Sequence, residues 1–432
     1  MDEQSTPTDR HVEEARQRDE NDPLSVFATR FDLSDELYLD GNSLGPVSDT
    51  AEETLQSALE QWREQGIRAW SEADPPWFWY GERLGEQLAP LVGADPDECV
   101  ATGTTTVNIH TLVGTFLDTL DESDPHGVLV NDLDFPTDHY AIRAQLRQRG
   151  LDPDEHLHLV ESRDGRTIET DDIVDAMDEH EVAVVFMPSV LYRSGQLFDI
   201  ETITSEAHRR DILAGFDLAH SVGVVPHDLS AHGVDFAVWC SYKYLNAGPG
   251  AVAGLYVNER HFGTTPALAG WWGHEKETQF DMNLTFTQAE TAGAWQISAV
   301  PILNAAPLFG SLELVHEAGI EHIREKSLEL TRYLIELVDE VLTPYGCSVG
   351  TPREPDRRGG HVAIEHPEAY RLSQALRDHG VIVDFRQPNV VRVCPAPLYV
   401  GFEDVFEFVQ LLVDILEEKQ YEQYDAEPSG VT

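Results

Sequence analysis

Lysine is almost missing from this chain of 432 residues: Lys243, Lys276, Lys326 and Lys419 are all it has. Positive charge is scarce altogether, with 29 Lys and Arg against 78 Asp and Glu and a formal charge of −49. That balance excludes a protein built to neutralise nucleic-acid phosphates. The acidic residues are spread along the whole chain rather than gathered in a terminal block, so they describe a surface, not a tail for a basic partner. Such a surface is like those of proteins from halophilic organisms, where molar salt shortens the screening length and weakens repulsion between carboxylates. Cysteine is scarce too. Cys99, Cys240, Cys347 and Cys394 lie far apart with no Cys-x-x-Cys pair, which argues against a disulfide framework or a zinc site and fits reduced thiols in a cytoplasmic protein. No run approaches the roughly 18 apolar residues that span a bilayer, so no membrane partner is expected. The stretch Met1–Asp22 lacks an apolar core, reads as neither signal peptide nor anchor, and is expected to be a disordered tail.

What remains is a globular chain, 41% hydrophobic and too long for one ordinary core. Between about Leu88 and Tyr256, β-like runs alternate with amphipathic helical stretches, the pattern of an α/β domain with a mostly parallel sheet. The runs 128–130, 182–186, 213–216, 236–239 and 251–257 read as buried strands. Val113, Phe116, Leu117 and Leu120 recur at helical steps. A long helical stretch, Leu308–Leu342, reads as a connection to a smaller α+β domain with strands near 360–364, 381–383 and 390–393 and a closing helix, Phe402–Leu416. The expected division is a tail over 1–22, an N-terminal segment and large domain over 23–306, and a connecting helix with a small domain over 307–432.

Five places carry candidate chemistry. Asp217 ends one β-like run and Lys243 follows another 26 residues later, a pairing suited to a cofactor aldehyde: the amine holds it and the carboxylate keeps a ring nitrogen protonated. Lys326 and Lys419 stand in charge-rich helical segments and read as surface residues, and Lys276 stands among carboxylates; Lys243 alone lies between aromatic residues and ahead of a glycine-rich turn. Gly103-Thr104-Thr105-Thr106 opens a helix after a short strand, either a phosphate seat or an ordinary cap. Phe135-Pro136-Thr137-Asp138 stands where ligands of open α/β sheets collect, although Pro and Asp also make plain turns. Gly270-Trp271-Trp272-Gly273-His274 could line an aromatic substrate or a subunit contact. Arg392 interrupts an apolar run and suits a carboxylate.

These segments, with Tyr38–Gly45, Ser241–Gly250 and Arg392–Tyr399, resemble kynureninase in order from about Tyr38 to Leu416. The resemblance implies the fold type I architecture of pyridoxal 5′-phosphate (PLP) enzymes, with a large, mostly parallel α/β domain and a smaller C-terminal α+β domain. It also implies hydrolysis of L-kynurenine to anthranilate and L-alanine by a homodimer that shares its active sites. Lys243 then holds PLP and later moves protons, Asp217 faces the ring nitrogen, Phe135 stacks on the ring, and Tyr242 donates a proton. Thr105, Thr106, Asp138 and His220 match other cofactor contacts, and Trp271 matches a phosphate contact made from the partner subunit. Arg392 matches the holder of the substrate α-carboxylate, with Ser43 and His274 on the substrate side. Water must attack the γ-ketone, and the sequence names no base for it. Two positions depart from relatives: Pro188 replaces a hydroxyl contact to PLP, and Ala299 replaces an Asn or Thr near the phosphate, which favours plain L-kynurenine over its 3-hydroxy form. The alternatives are a cysteine desulfurase or selenocysteine lyase, which needs a mobile loop cysteine, and a PLP-binding protein without catalysis.

Overall fold

A computed structural model describes residues 7–33, 36–121 and 123–426, so the first six residues of the expected tail lie outside it. The rest of that tail is not frayed. Pro7–Glu20 is a helix, with His11 and Ala15 buried one turn apart and the His11 carbonyl accepting from Tyr333 Oη at 2.9 Å. Asp19 accepts from the amides of Phe402 and Glu403 at 2.7 and 2.8 Å, capping the closing helix Phe402–Glu417. Asp22 pairs with Lys326 at 2.6 Å, both side chains buried, and Lys326 also donates to the Pro397 carbonyl at 2.6 Å. Lys326 is therefore an internal tie and not the surface residue its charged neighbours suggested. Anchoring by caps and ion pairs leaves no apolar periodicity for a sequence reading to find.

After this helix the chain makes a two-residue strand, β1 (Leu37–Tyr38), and then a seven-stranded sheet. Its strands are β2 (Cys99–Ala101), β3 (Gly127–Asn131), β4 (Leu157–Val160), β5 (Val182–Pro188), β6 (Leu213–Asp217), β7 (Phe236–Trp239) and β8 (Gly254–Val257). They lie in the order β2-β8-β7-β6-β5-β3-β4. From β4 to β7 all neighbours are parallel, while β8 runs antiparallel to both β7 and β2. All seven residues of β5 are buried, because helices cover both faces, which is why the strands read as continuous apolar runs and not as alternation. On one face Phe116 and Ile142, from helices Thr105–Asp118 and Pro136–Gln148, share a core with Phe186 and Phe236. Ile173, Ile203 and Leu229 belong to the core of the other face.

The C-terminal part adds β9 (Ser348–Val349), β10 (Val362–Glu365), β11 (Val381–Ile382), β12 (Asp384–Arg386) and β13 (Val390–Val393). Four of these form an antiparallel sheet ordered β12-β13-β10-β9. β11 leaves it and pairs parallel with β1, and Asp40 bridges to Cys394. The N-terminal segment is thereby stitched to the C-terminal unit. The single helix expected over Leu308–Leu342 is two, Ile302–Ala318 and Ile320–Leu337. They break at Gly319, whose φ of +79° lies in the left-handed region that glycine tolerates. Among the described residues no helix is long and apolar enough to cross a membrane.

Candidate active site

Strands β3, β5, β6 and β7 are parallel and end at one edge of the sheet. β2 ends there too, because it runs antiparallel to β8, which runs antiparallel to β7. That edge is where open α/β sheets bind ligands, and it receives the Gly103–Thr106 turn, Phe135–Asp138, Asp217–His220 and Ser241–Lys243.

Asp217 is the last residue of β6. Its Oδ1 accepts from the Ala219 amide at 2.8 Å, folding the chain back so that His220 faces the anchor loop. Lys243 Nζ lies 2.9 Å from His220 Nε2. The loop that presents it is closed by Asn246 N to Lys243 O at 2.9 Å and Ala247 N to Ser241 O at 3.0 Å. The N-terminal segment buttresses it, with Gly45 N donating to the Tyr242 carbonyl at 2.7 Å. A Cβ on Gly45 would collide with the Lys243 carbonyl, which explains glycine at that end of the Gly41–Gly45 motif. The Tyr242 ring centroid is 6.0 Å from Nζ.

The electrostatics of the pocket are set by buried carboxyls and one lysine. Burial pushes the Asp217 carboxyl up while the Lys243 charge pulls it down. Asp138 is raised well above the carboxylate range by burial and then by Asp134 and Asp217. Asp134 is pushed up to about 7 by burial, then Asp217. Asp138 and Asp217 share the Lys243 charge, and Asp134 borders both carboxyls. His220 is held well below the usual imidazole range by burial, then by Lys243 and Arg392, so it stays neutral and can accept from an ammonium. Nδ1 of His220 and Oγ of Ser241 are buried without a hydrogen-bond partner, and the Asp138 carboxyl meets the Asp134 carboxyl and no other polar group among the described residues. Buried polar atoms are seldom left so; here they cluster beside a lysine and fit a polar group such as a pyridine ring with its hydroxyl.

Thr104 caps the helix Thr105–Asp118, accepting from Val107 N. Thr105 and Thr106 stand in its first turn, where backbone amides have no helical acceptor and suit a phosphate. Thr106 Oγ1 reaches Thr137 Oγ1 at 2.9 Å, tying this turn to the Phe135–Asp138 run. Phe135 is 48% exposed, an aromatic face left open at the pocket, with Tyr192 against it edge-on at 5.4 Å.

The carboxylate side of the site is richer than expected. Arg392 on β13 stands opposite Asp384 on β12. It grips that carboxylate with Nε at 3.0 Å and Nη2 at 2.5 Å, and donates to Ser43 Oγ and the Tyr192 carbonyl, each at 2.7 Å. Asp384 also accepts from Ser43 at 2.9 Å and from Arg386 at 2.5 Å. His361 is wholly buried with its ring against the Tyr192 backbone, and its ring centroid is 5.8 Å from that of His220. Sequence reading missed Asp134, Tyr192, His361, Asp384 and Arg386. A hairpin register over 384–392 would have paired Asp384 with Arg392; nothing in the sequence marks Tyr192 or His361.

Three expected residues do not join this group within one chain. Trp271 is 48% exposed and donates to the Gln279 carbonyl at 3.1 Å. His274 is buried with both nitrogens used, Nε2 on Thr278 Oγ1 at 3.0 Å and Nδ1 accepting from Thr287 N at 3.1 Å; it is spoken for by its own loop. Ala299 offers only a methyl and a carbonyl that accepts from Ser298. Pro188 ends β5 beside Asp217 and brings no hydroxyl.

A sequence profile of the kynureninase C-terminal domain matches residues 323–412. The chain is 50% identical over 424 residues to the kynureninase of Geobacillus thermodenitrificans, covering 98% of both chains. It is 49% identical over 418 residues to that of Bacillus anthracis, covering 96% of both. Among solved structures it is similar to a mutant of the cystine C–S lyase C-DES with glycine covalently linked to its PLP cofactor, at TM-score 0.75 and 18% identity over 88% of this chain and 97% of that one. An apo cysteine desulfurase from Thermococcus onnurineus matches at TM-score 0.74 and 18% identity, over 94% and 98%. At that identity the likeness shows the fold alone: fold type I of the PLP enzymes.

Proposed function

The chain belongs to the kynureninase family, and from that premise we propose how its residues divide the work. It is a PLP-dependent hydrolase that converts L-kynurenine to anthranilate and L-alanine. One observation carries the assignment of roles: Lys243 Nζ stands 2.9 Å from a neutral His220, among buried polar atoms without partners.

When bound, the cofactor supplies an electron sink for charge developing at the substrate Cα. Lys243 would hold it, and the Lys243 amine would move a proton at the substrate Cα. Asp217 keeps the ring nitrogen protonated, and its buried carboxylate gains a cation in doing so. Phe135 would hold the ring by its face, and Asp138 and His220 would hold its polar groups. Thr105 and Thr106 receive the phosphate at the helix start. Tyr242, whose phenol burial pushes up, stays protonated at working pH and can donate to the carbanion left at Cβ. Arg392 and Ser43 take the α-carboxylate, with His274 shaping the loop beside the aromatic ring.

The same reading includes a homodimer with shared sites. Trp271, Phe280, Met282 and Leu284 are exposed at 48%, 66%, 68% and 103%, an apolar surface that a second copy can cover while bringing Trp271 to its neighbour's phosphate seat. Four buried cysteines support a cytoplasmic setting. A large unit to Ala306 and a smaller one from Pro307 enclose the site, the smaller also holding the N-terminal helix. Ala299, with no side-chain hydrogen bond to offer, favours L-kynurenine; equal kcat/KM on the 3-hydroxy substrate would overturn that preference. The acidic surface is an adaptation to salt, and stability unchanged from molar to millimolar KCl would overturn it.

The desulfurase alternative is disfavoured by the thiols. All four are buried, and burial pushes Cys347 up to about 11 and Cys394 up to about 12, so none is a poised nucleophile. Anthranilate fluorescence from purified protein, PLP and L-kynurenine in high salt is the expected result. Sulfide and alanine from cysteine, without anthranilate, would reverse the choice.

A further inference from the structure

Arg392 is poorly free to do alone what its position assigns it. It is 1% exposed, and its Nε and Nη2 are committed to Asp384, its Nη1 to the Tyr192 carbonyl and its Nη2 also to Ser43. A carboxylate prefers two parallel N–H donors from one guanidinium, and Arg392 already spends that face on Asp384. Arg386 is different. It lies two residues from Asp384 on β12, and its side chain remains 30% exposed. Nη2 reaches Asp384 at 2.5 Å and Ser43 at 3.4 Å, Nε is buried without a partner, and Nη1 has no hydrogen bond among the described residues. Arg386 shares Ser43 and Asp384 with Arg392, which places it on the same side of the site. Asp384, 2% exposed, thus holds two arginines, one sealed and one open.

Resting on the kynurenine reading of the site, we propose that Arg386 is a second guanidinium for the substrate α-carboxylate, and that Asp384 is the positioning residue that aims both arginines. Arg392 backs the site and contributes its remaining Nη1 donor; Arg386 supplies the open edge. Asp40 is a second carboxylate beside the pair, pushed up to about 6 by burial and then by Asp384, so selectivity rests on the open guanidinium edge, which bonds a carboxylate that an α-amino acid carries and a simple amine lacks. The site thereby selects amino acids over amines of the same shape.

The test uses cofactor-loaded wild type, Arg386→Gln and Arg386→Lys. L-Alanine, which carries the carboxylate, and ethylamine, which lacks it, are titrated against the cofactor's visible spectrum, and KM and kcat are measured for L-kynurenine. Removing one charge-assisted contact should weaken L-alanine about tenfold to hundredfold in Arg386→Gln and raise KM similarly, with kcat changed much less. Ethylamine binding should not move, and Arg386→Lys should recover part of the loss. Unchanged L-alanine binding would overturn the proposal in favour of Arg392 alone. Equal weakening of L-alanine and ethylamine would overturn it in favour of a structural role. Wild type that binds L-alanine but releases no anthranilate would sink the reaction assignment and leave the arginine result standing.

Discussion

Two lysines of this lysine-poor chain are both enclosed, and they could hardly be enclosed more differently. Lys276 lies in an aromatic cage, Nζ 4.8 Å from the Phe78 centroid, 5.7 Å from Trp79 and 4.6 Å from Trp272. It pairs with Glu82 at 3.3 Å and donates to the Trp272 carbonyl at 3.2 Å. Every requirement of a buried ammonium is met there by the protein itself. Lys243 has one neutral imidazole, two carboxyls raised by burial, and neighbours, His220 Nδ1 and Ser241 Oγ, that are buried without partners. A lysine with its needs met is a rivet. One set among unmet needs is a reagent, and the difference lies in the partners, not in the depth of burial.

Substitution should separate the two. Lys243→Ala should show the largest effect, removing the visible absorbance of lysine-bound cofactor and turnover by about a thousandfold or more, while the fold persists; full activity in that variant would erase the contrast. Lys276→Met should instead cost stability, about 1–2 kcal/mol by denaturant titration, because it removes the cation from Glu82 and from the aromatic cage, leaving Glu82 only its bond from Gln296. Cofactor absorbance should survive, and an unaltered unfolding midpoint would show the cage to be ornamental.

The unmet carboxylates give a pH signature. A carboxyl whose folded pKa is raised stabilises the fold below its unfolded value, and that contribution is lost as pH climbs through the folded value. For Asp134 the window runs from the model-compound value of 3.8 to about 7. Cofactor-free protein should therefore lose stability across that window relative to Asp134→Asn, by up to roughly 1.4 kcal/mol per pH unit; parallel curves for the two proteins would contradict it. Smallest is Thr106→Ala, which removes one hydroxyl from the phosphate seat and should weaken PLP binding about fivefold, measured by dialysis and refilling.

The contrast also marks where sequence reading works. The inner strands β3, β5, β6, β7 and β8 were legible because both faces are covered, so apolar runs stand out between turns, whereas the edge strand β4, with Leu159 45% exposed, was not. Lys243 was legible through scarcity, its aromatic neighbours and its distance from Asp217. Lys276 and Lys326 were not: each stands among charged residues in sequence, and only the tertiary fold brings an aromatic cage to one and Asp22 to the other. The N-terminal helix hid for the same reason, its fastening being made by Asp19 and Asp22 to elements more than 300 residues away. Asp384 and Arg386 were overlooked because a short antiparallel hairpin, and no fixed spacing, sets them against Arg392.

The most direct measurement follows from the small number of lysines. Borohydride reduction of the PLP-loaded enzyme fixes a pyridoxyl group on whichever amine holds the cofactor, and peptide mass mapping has only four candidates to distinguish. The group is expected on the peptide carrying Lys243 and on no other. Its appearance on Lys276, or an even spread over the four, would contradict the account at its centre.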